Sequence, residues 1–546
     1  MFNRVISFIC LTLFVLSGIS QESYYSVTFT DKNCNLSLSE SECLSQKSIN
    51  KRAKSNIEFT QQDLPICDDY IKSVIQSKFI SLKNKLKWTN QITIRTNSSA
   101  DLNRVSSLSY VKEVKLICSI SNSRSNNNKF EIEESFLKDY GKAWTQNGMI
   151  GINQLHKDGF VGAGISIAVF DAGYRGVDTL FHFKKMWRDG RIIGMKDFVN
   201  NKDSVFYNSG HGTSVLSTMG VNTNAELVGS APKANYFLVI TEDAQSESLI
   251  EEYNWAEAAE FADSIGIDII NSSLGYTRFD DSTTNHTYDD LNGNTTVVTR
   301  AANMAYEKGI LVVNSAGNYA QDGWYYMGAP SDGYGVLSIG AVGEEQTIAP
   351  FSSRGPNSAG RVKPDVCAMG WKTQVVIPIG SIVQSNGTSF SGPIIAGAVA
   401  CLWEAYPEMS NEKIMQAVRE SAHIYETPDD EYGYGIPNFP KAIEVLENVR
   451  FPETDNEDLY SNFLLFPNPA IYSTRLEFIS GVANENITVS VISPSGTTVF
   501  KRAYSSIKGH NYIDIDCSNL NAGTYFVKLE IGNTIHQKGL VIQQAE

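Results

Sequence analysis

The amino-acid sequence predicts an α/β protein built on a doubly wound, mostly parallel sheet with helices on both faces. Between residues 140 and 448, short and nearly continuous apolar runs alternate with longer segments of helical periodicity, as is typical of parallel strands buried on both faces. Polar stretches at residues 119–139 and 449–462 indicate linkers. A small α+β domain is predicted before the central domain, at residues 21–118, and an antiparallel β-sandwich after it, at residues 463–546.

Residues 1–20 have the features of a secretory signal peptide. Arg4 precedes an apolar run from Val5 to Leu16, and the small residues Ser17 and Gly18 follow it. The run is shorter than the roughly 20 residues that a membrane-spanning helix needs, and no later apolar run reaches that length. We therefore expect an exported protein without a transmembrane segment.

The net charge and the cysteines argue against nucleic-acid binding and against a zinc site. A net charge of −15 argues against a nucleic-acid partner, because phosphate recognition needs clustered Lys and Arg side chains. Of the eight cysteines, Cys10 lies in the signal segment, and the odd number that remains leaves at least one thiol without a partner. None of them are spaced as Cys-x-x-Cys, so a zinc site is not favoured, and the pairing of any disulfides stays open.

The elements of the first two domains follow from their periodicity. In the N-terminal domain, Tyr25–Phe29 and Gln91–Arg95 are predicted strands, and a helical period runs from Asp69 to Phe79. In the central domain, the clearest predicted strands are Ile165–Phe170, Asn235–Ile240, Asp268–Ile270 and Ile310–Val313, with helices at Glu247–Ile265 and Val297–Lys308.

Three motifs of the central domain combine residue types that suit nucleophilic catalysis. Asp171 follows a predicted strand, at the sheet edge where catalytic groups gather in open α/β folds. His211 stands between two glycines at the start of an apolar segment, and glycine permits close approach of a backbone to a ligand. Ser389 precedes a long apolar helix, whose N-terminal N–H groups favour a developing anion.

The motifs around these residues, in the chain order Asp, His, Ser, resemble those of the subtilisin-like serine proteases, the S8 or subtilase family. Chymotrypsin-like and α/β-hydrolase enzymes use other orders, and Ser389 lies in no Gly-x-Ser-x-Gly motif. The resemblance implies a subtilisin-like fold for the central domain. It also implies that Ser389 attacks the scissile carbonyl, that His211 accepts and returns the proton, and that Asp171 orients the imidazole.

The resemblance extends to the groups that hold the substrate. Asn318, in the segment Asn314–Asn318, is implied as the donor of an oxyanion hole. The residues implied in substrate binding are Ser273, Leu274, Gly275, Ala316 and Gly317. The chemistry requires no cofactor. Asp289–Asn294 offers clustered oxygen donors for calcium but lacks a full loop pattern, so a solvated loop is the preferred interpretation and the metal is left unassigned.

Both flanking domains resemble known processing and export modules. Residues 21–118 resemble the pro-region of Bacteroidetes subtilases, through Phe29–Lys32 and Asp63–Pro65, which implies a chaperone and inhibitor of the same chain. Maturation cleavage is then expected in residues 119–139, because exposed linkers are where proteases cut. Residues 463–546 resemble the C-terminal sorting domain of type IX secretion, through Leu465–Pro469 and Leu520–Tyr525, which implies delivery to the cell surface or the medium.

The sequence therefore predicts an exported serine endopeptidase that is made as a zymogen and acts on extended polypeptides. Two other classes stay open, namely a surface binding protein on an inactive protease scaffold and a serine esterase. Substrate side-chain preference, physiological substrate, cleavage positions and oligomeric state are not determined by the sequence.

Overall fold

A computed structural model describes residues 22–119, 143–223, 226–450, 463–466, 468–470, 473–480, 486–506, 509–531 and 534–543. The predicted signal peptide and all but the ends of the two predicted linkers lie outside these residues. The chain divides into two compact units, Met1–Ile443 and Glu444–Glu546. In the described ranges, no helix is both long enough and apolar enough to cross a membrane.

The N-terminal domain is an antiparallel sheet with short helices. Its elements are β1 (Ser23–Phe29), α1 (Glu40–Cys43), α2 (Gln46–Lys54), α3 (Asp68–Val74), β2 (Ser81–Leu86), β3 (Gln91–Thr96), α4 (Ser99–Ser106) and β4 (Val111–Ser119). The four strands lie in the order β2-β3-β1-β4. Both predicted strands are confirmed, whereas the predicted helix ends at Val74 and leaves Phe79 exposed.

A disulfide joins Cys34 to Cys67 within this domain, with 5.9 Å between the Cα atoms. It connects the segment after β1 to the N-cap of α3. The other described cysteines are free thiols: Cys43, Cys118, Cys367, Cys401 and Cys517.

The central domain contains a seven-stranded parallel sheet. Its elements are α5 (Ala143–Gly148), α6 (Ile152–Lys157), β5 (Ser166–Asp171), α7 (Lys184–Arg188), β6 (Ile192–Asp197), α8 (His211–Gly220), β7 (Asn222–Thr223), β8 (Leu227–Val228), β9 (Asn235–Ile240), α9 (Ile250–Ser264), β10 (Ile269–Ser272), α10 (Val297–Glu307), β11 (Leu311–Ser315), β12 (Val336–Val342), β13 (Val366–Met369), β14 (Thr373–Val376), β15 (Ile382–Ser385), α11 (Thr388–Ala405), α12 (Asn411–Glu420) and α13 (Phe439–Arg450).

The strand order β13-β12-β11-β10-β5-β9-β6 places β5 and β10 near the middle of the sheet. Every pairing in this sheet is parallel, and β5, β10, β11, β12 and β13 are buried along their whole length. Continuous apolar runs fit strands covered on both faces, so the predicted fold class is confirmed. The carboxyl ends of β5, β10 and β11 lie along one edge, because parallel strands end on the same side.

The N-terminal and central domains share a hydrophobic core within the first unit. Leu86 and Trp88 of the N-terminal domain belong to the same buried cluster as Tyr253, Ala256 and other residues of α9. Side-chain amide groups add to this contact, since Asn84 Nδ2 donates to Asn254 Oδ1 at 3.2 Å. The antiparallel sheet is thereby fixed against α9.

The second unit contains the end of α13 and the strands β16 (Leu464–Phe466), β17 (Ser473–Ser480), β18 (Asn486–Ile492), β19 (Thr498–Ser505), β20 (Gly509–Asp516), β21 (Gly523–Ile531) and β22 (Thr534–Ile542). They form a three-stranded sheet, β16-β17-β20, and a four-stranded sheet, β19-β18-β21-β22. Residues of both sheets, such as Leu476 and Val489, contribute to one buried cluster. The predicted antiparallel sandwich is confirmed.

Candidate active site

Asp171 is the last residue of β5 and is fully buried. Its carboxylate accepts a hydrogen bond from the Ala172 N–H at 2.8 Å. The two carboxylate oxygens also lie 2.9 and 3.0 Å from Nδ1 of His211. Since a carboxylate only accepts, Nδ1 carries the proton of this bond, and Nε2 is the ring nitrogen available as a base.

His211 is the first residue of α8 and is 5% exposed. The glycines on either side of His211 allow close packing on two sides: a Cβ on Gly212 would lie 2.7 Å from the Gly173 carbonyl oxygen and 3.0 Å from Asp171 Cβ, and a Cβ on Gly210 would lie 1.9 Å from Pro378 Cγ. Larger residues would force these neighbouring segments away from His211. The flanking glycines therefore have a structural reason that does not depend on the substrate.

Ser389 is the second residue of α11 and is half-buried. The helix contains Pro393, which has no N–H to donate to the carbonyl of Ser389 four residues earlier. The Ser273 hydroxyl donates to that carbonyl at 3.1 Å instead. This bond ties the predicted substrate-binding edge after β10 to the start of α11.

The start of α11 also lies beside His211. The ring of Phe390, the residue after Ser389, lies 6.0 Å from the His211 ring, centroid to centroid. Asp171, His211 and the first turn of α11 thus come together although they are far apart in the sequence.

Asn318 is held by the residue before Ser389. Its Oδ1 accepts from the Thr388 N–H at 2.9 Å and from Thr388 Oγ1 at 3.0 Å. Two donors on one atom identify it as the amide oxygen, so the NH₂ group points the other way, and Nδ2 would lie 3.6 Å from a Cβ on Gly387. This geometry leaves an amide donor beside the start of α11.

A cavity of about 450 Å³ brings most of the predicted residues together: its lining includes Ser273, Leu274, Gly275, Gly317, Asn318 and Ser389. The Tyr319 hydroxyl donates to the Gly275 carbonyl at 3.0 Å and connects two sides of the cavity. Ala316 is instead fully buried, with its N–H bonded to Ile339 and its carbonyl to Gly328. It supports the wall from behind.

The cavity also contains charged side chains that the sequence analysis did not single out: Glu242, Glu247, Arg278 and Asp322. Glu242 follows β9, the neighbour of β5, so its position just past the carboxyl end of a central strand was an available signal. The others lie on loops whose folding back toward Ser389 has no local sequence pattern.

In the segment 289–294, a candidate calcium site by its sequence, the Asp290 carboxylate accepts hydrogen bonds from a neighbouring residue. Asp290 Oδ2 accepts from the Thr287 N–H at 2.8 Å and from its hydroxyl at 2.7 Å. These contacts form a capping box for a short helical turn. A calcium role for this segment stays an untested hypothesis.

Comparisons with known proteins agree in domain order with the sequence analysis. The model of the subtilase family, peptidase S8, matches residues 162–435. The Bacteroidota propeptide domain of peptidase S8 matches residues 24–132, and the secretion system C-terminal sorting domain matches residues 464–543.

Curated relatives include proteases of two bacteria. The thermostable alkaline protease of Halalkalibacterium halodurans is 29% identical over 296 residues, covering 54% of this chain and 72% of that protein. Serine protease AprX of Bacillus subtilis is 28% identical over 314 residues, covering 52% and 66%. Subtilisin E of the same species is 27% identical over 382 residues, covering 68% and 86%.

Proposed function

The chain belongs to the subtilase family of serine proteases, and from this membership we propose that it is an exported endopeptidase whose triad is Asp171, His211 and Ser389. The observation that most supports the assignment is the buried bond between Asp171 and His211 Nδ1, formed beside the first turn of α11. A buried carboxylate fixes the imidazole tautomer and stabilises the imidazolium that forms during acyl transfer.

In the proposed reaction, Ser389 Oγ attacks the scissile carbonyl and His211 Nε2 accepts its proton. The same nitrogen then protonates the leaving amine, and water repeats the sequence to release the acyl group. The polypeptide lies along Ser273–Gly275, where main-chain pairing tolerates many sequences.

Asn318 Nδ2 and the Ser389 N–H are proposed to donate to the tetrahedral oxyanion. Fixing of the amide oxygen by Thr388 supports this role, because a donor that is already oriented costs no reorganisation during the reaction. For Asn318→Ala we expect kcat to fall by a factor of about 10² to 10³ with little change in KM. An increase in KM with unchanged kcat would instead assign Asn318 to substrate binding only.

The flanking domains extend the proposal to regulation and export. The N-terminal propeptide domain would assist folding and silence the enzyme until cleavage within residues 119–139, most of which lie outside the described residues. The position of β4, the last strand of this domain, supports the inhibitory role. Cys118 Sγ lies 3.4 Å from Ser248 Oγ, on the loop that also carries Glu247 of the cavity beside Ser389. The C-terminal sorting domain would deliver the enzyme to the cell surface or the medium by type IX secretion.

The decisive experiment is digestion of an unfolded protein by the secreted chain. Activity should be lost on treatment with a serine-directed inhibitor and reduced by a factor of about 10³ or more in Ser389→Ala. Ser391→Ala is the matched control, because this hydroxyl lies on the same helix and donates to the Thr388 carbonyl. A wild-type chain that binds but does not cleave would favour the binding-protein alternative, and cleavage of esters alone would favour an esterase.

A further inference from the structure

The cavity beside Ser389 is lined by more negative than positive charge. Three carboxylate side chains line it, those of Glu242, Glu247 and Asp322, against one guanidinium, that of Arg278. Arg278 is exposed, and its guanidinium carbon lies 6.0 Å from the centroid of the Trp324 ring. Its charge is therefore associated with an aromatic face at the rim.

Two of these carboxylates belong to a compact group. Glu242, Glu247 and Glu251 each place a carboxylate oxygen within 4.8 Å of the others. Glu242 is 2% and Glu251 1% exposed, whereas Glu247 is half-buried. Carboxyl groups this close together, two of them buried, create a negative potential that favours a cation in the cavity.

Glu242 and Glu251 have structural partners that fix them in place. Glu251 accepts from the N–H groups of Asp243 at 2.7 Å and Ser248 at 3.1 Å. Glu242 accepts from the Tyr276 hydroxyl at 2.5 Å. Burial, reinforced by the charge of Glu242, raises the pKa of Tyr276 well above its usual range, so the phenol stays a neutral donor.

Glu247 is placed at the cavity by its backbone. Its N–H donates to Asp280 Oδ2 at 3.2 Å, and its carbonyl accepts from the Asp280 N–H at 2.8 Å. The loop between β9 and α9 is thereby attached to the segment after β10, which holds Ser273–Gly275. The half-buried Glu247 carboxylate is thus the member of the group that a ligand in the cavity meets first.

We infer that Glu247, supported by Glu242, is a specificity-determining residue that selects a Lys or Arg side chain on the acyl side of the scissile bond. The inference rests on the proposed function. The second observation behind it does not depend on charge: the same cavity holds Ser389 and the edge Ser273–Gly275, so the molecule that enters it is the polypeptide substrate. An ammonium or guanidinium group forms stronger, charge-assisted hydrogen bonds with a carboxylate than any neutral side chain does.

The test uses the mature enzyme and four sets of fluorogenic peptides. Each set varies one of the four residues before the scissile bond among Arg, Lys, Gln, Leu and Glu on a constant background. At one or more of these positions, kcat/KM for Arg or Lys should exceed that for Gln by about tenfold or more. In Glu247→Gln this ratio should fall about tenfold, and in Glu247→Lys the preference should move to Glu.

Glu345→Gln is the matched control, because it removes one carboxylate from an exposed turn outside the cavity and should keep the ratio. A mature enzyme that cleaves the peptides without preferring a basic residue at any of the four positions overturns the inference but leaves the proposed function intact. Absence of all cleavage by the mature wild-type enzyme, or cleavage that Ser389→Ala leaves unchanged, overturns the proposed function itself. Calcium that raises the melting temperature of the wild type but not of Glu247→Gln would identify the group as a metal site and overturn the inference.

Discussion

The N-terminal domain and the C-terminal unit both contain antiparallel β-sheets, but they differ in whether charged side chains are buried. In the N-terminal domain, Arg52 donates to Asp63 at 2.9 Å and to Asp263 of the central domain at 2.7 Å, and all three side chains are fully buried. Lys308 adds a contact to Asp63 at 3.0 Å. In the described part of the C-terminal unit, by contrast, no charged side chain is buried.

This difference distinguishes a domain that is stabilised by docking onto its neighbour from a domain that is stabilised by its own core. Buried charges cost free energy unless each finds its partner, so the Arg52 network favours the docked arrangement of two domains over any other. Although burial alone would raise it, the Arg52 hydrogen bond and nearby N–H and Lys308 groups lower the pKa of Asp63 to about 2. The C-terminal unit depends instead on its own apolar cluster, as expected of a module that folds by itself.

The largest expected effect is that of Arg52→Ala, measured in a Ser389→Ala background so that the proposed self-processing cannot occur. Removing Arg52 leaves Asp63 and Asp263 buried without their guanidinium, and the free energy of unfolding of the first unit should fall by about 3–5 kcal/mol. Chemical denaturation measures this loss. Lys54→Ala is the control, because Lys54 is exposed on the same helix. Equal effects of the two substitutions would refute a stabilising role for the network.

A core truncation tests the independence of the C-terminal unit. Leu476→Ala removes a fully buried side chain from β17 and should destabilise that unit by about 3 kcal/mol. Hydrogen exchange followed by mass spectrometry should show faster exchange in β17, β18 and β20 and unchanged exchange in β5 and β10. Faster exchange in the central sheet as well would contradict independent folding.

The same contrast explains what could be predicted from the sequence. Asp171, His211 and Ser389 lie in motifs with local signatures, at a strand end or a helix start, so short windows of sequence are enough to predict their roles. The Arg52 network joins residues 211 positions apart, and no local pattern indicates that pairing. Strand β12 is not among the clearest predicted strands, and Gly340 interrupts its apolar run; a Cβ there would lie 2.6 Å from Cys367 Sγ.

Glu260 adds a pH-dependent contribution to the contact between the N-terminal and central domains. It lies on α9 and accepts from the N–H groups of Lys87 at 2.6 Å and Trp88 at 2.9 Å in the N-terminal domain. Burial raises the pKa of Glu260 to about 8, partly offset by these donors and the Lys87 charge. A raised carboxyl pKa stabilises the docked state at low pH, and this contribution is lost as pH rises from about 4.5 to about 8.

We therefore expect the first unit of the Ser389→Ala zymogen to lose on the order of 2 kcal/mol of unfolding free energy between pH 5 and pH 8 through this group. Glu260→Gln, which cannot titrate, should flatten that slope, and denaturation across the pH range compares the two chains. A slope that is the same in both would show that other groups cause the pH dependence.

The smallest expected effect belongs to the exposed ion pair of the C-terminal unit. Arg475 and Asp514 lie 2.8 Å apart, but their side chains are 46% and 70% exposed, so water and salt screen the attraction. Arg475→Ala should change the stability of that unit by less than about 1 kcal/mol, against several for Arg52→Ala. The decisive measurement is the pair of denaturation midpoints at low and high salt: the Arg475 effect should vanish at high salt, whereas the Arg52 effect should persist because its partners are shielded from ions. Salt sensitivity of the Arg52 effect would mean that the network is hydrated, and the contrast between the two domains would then be one of degree.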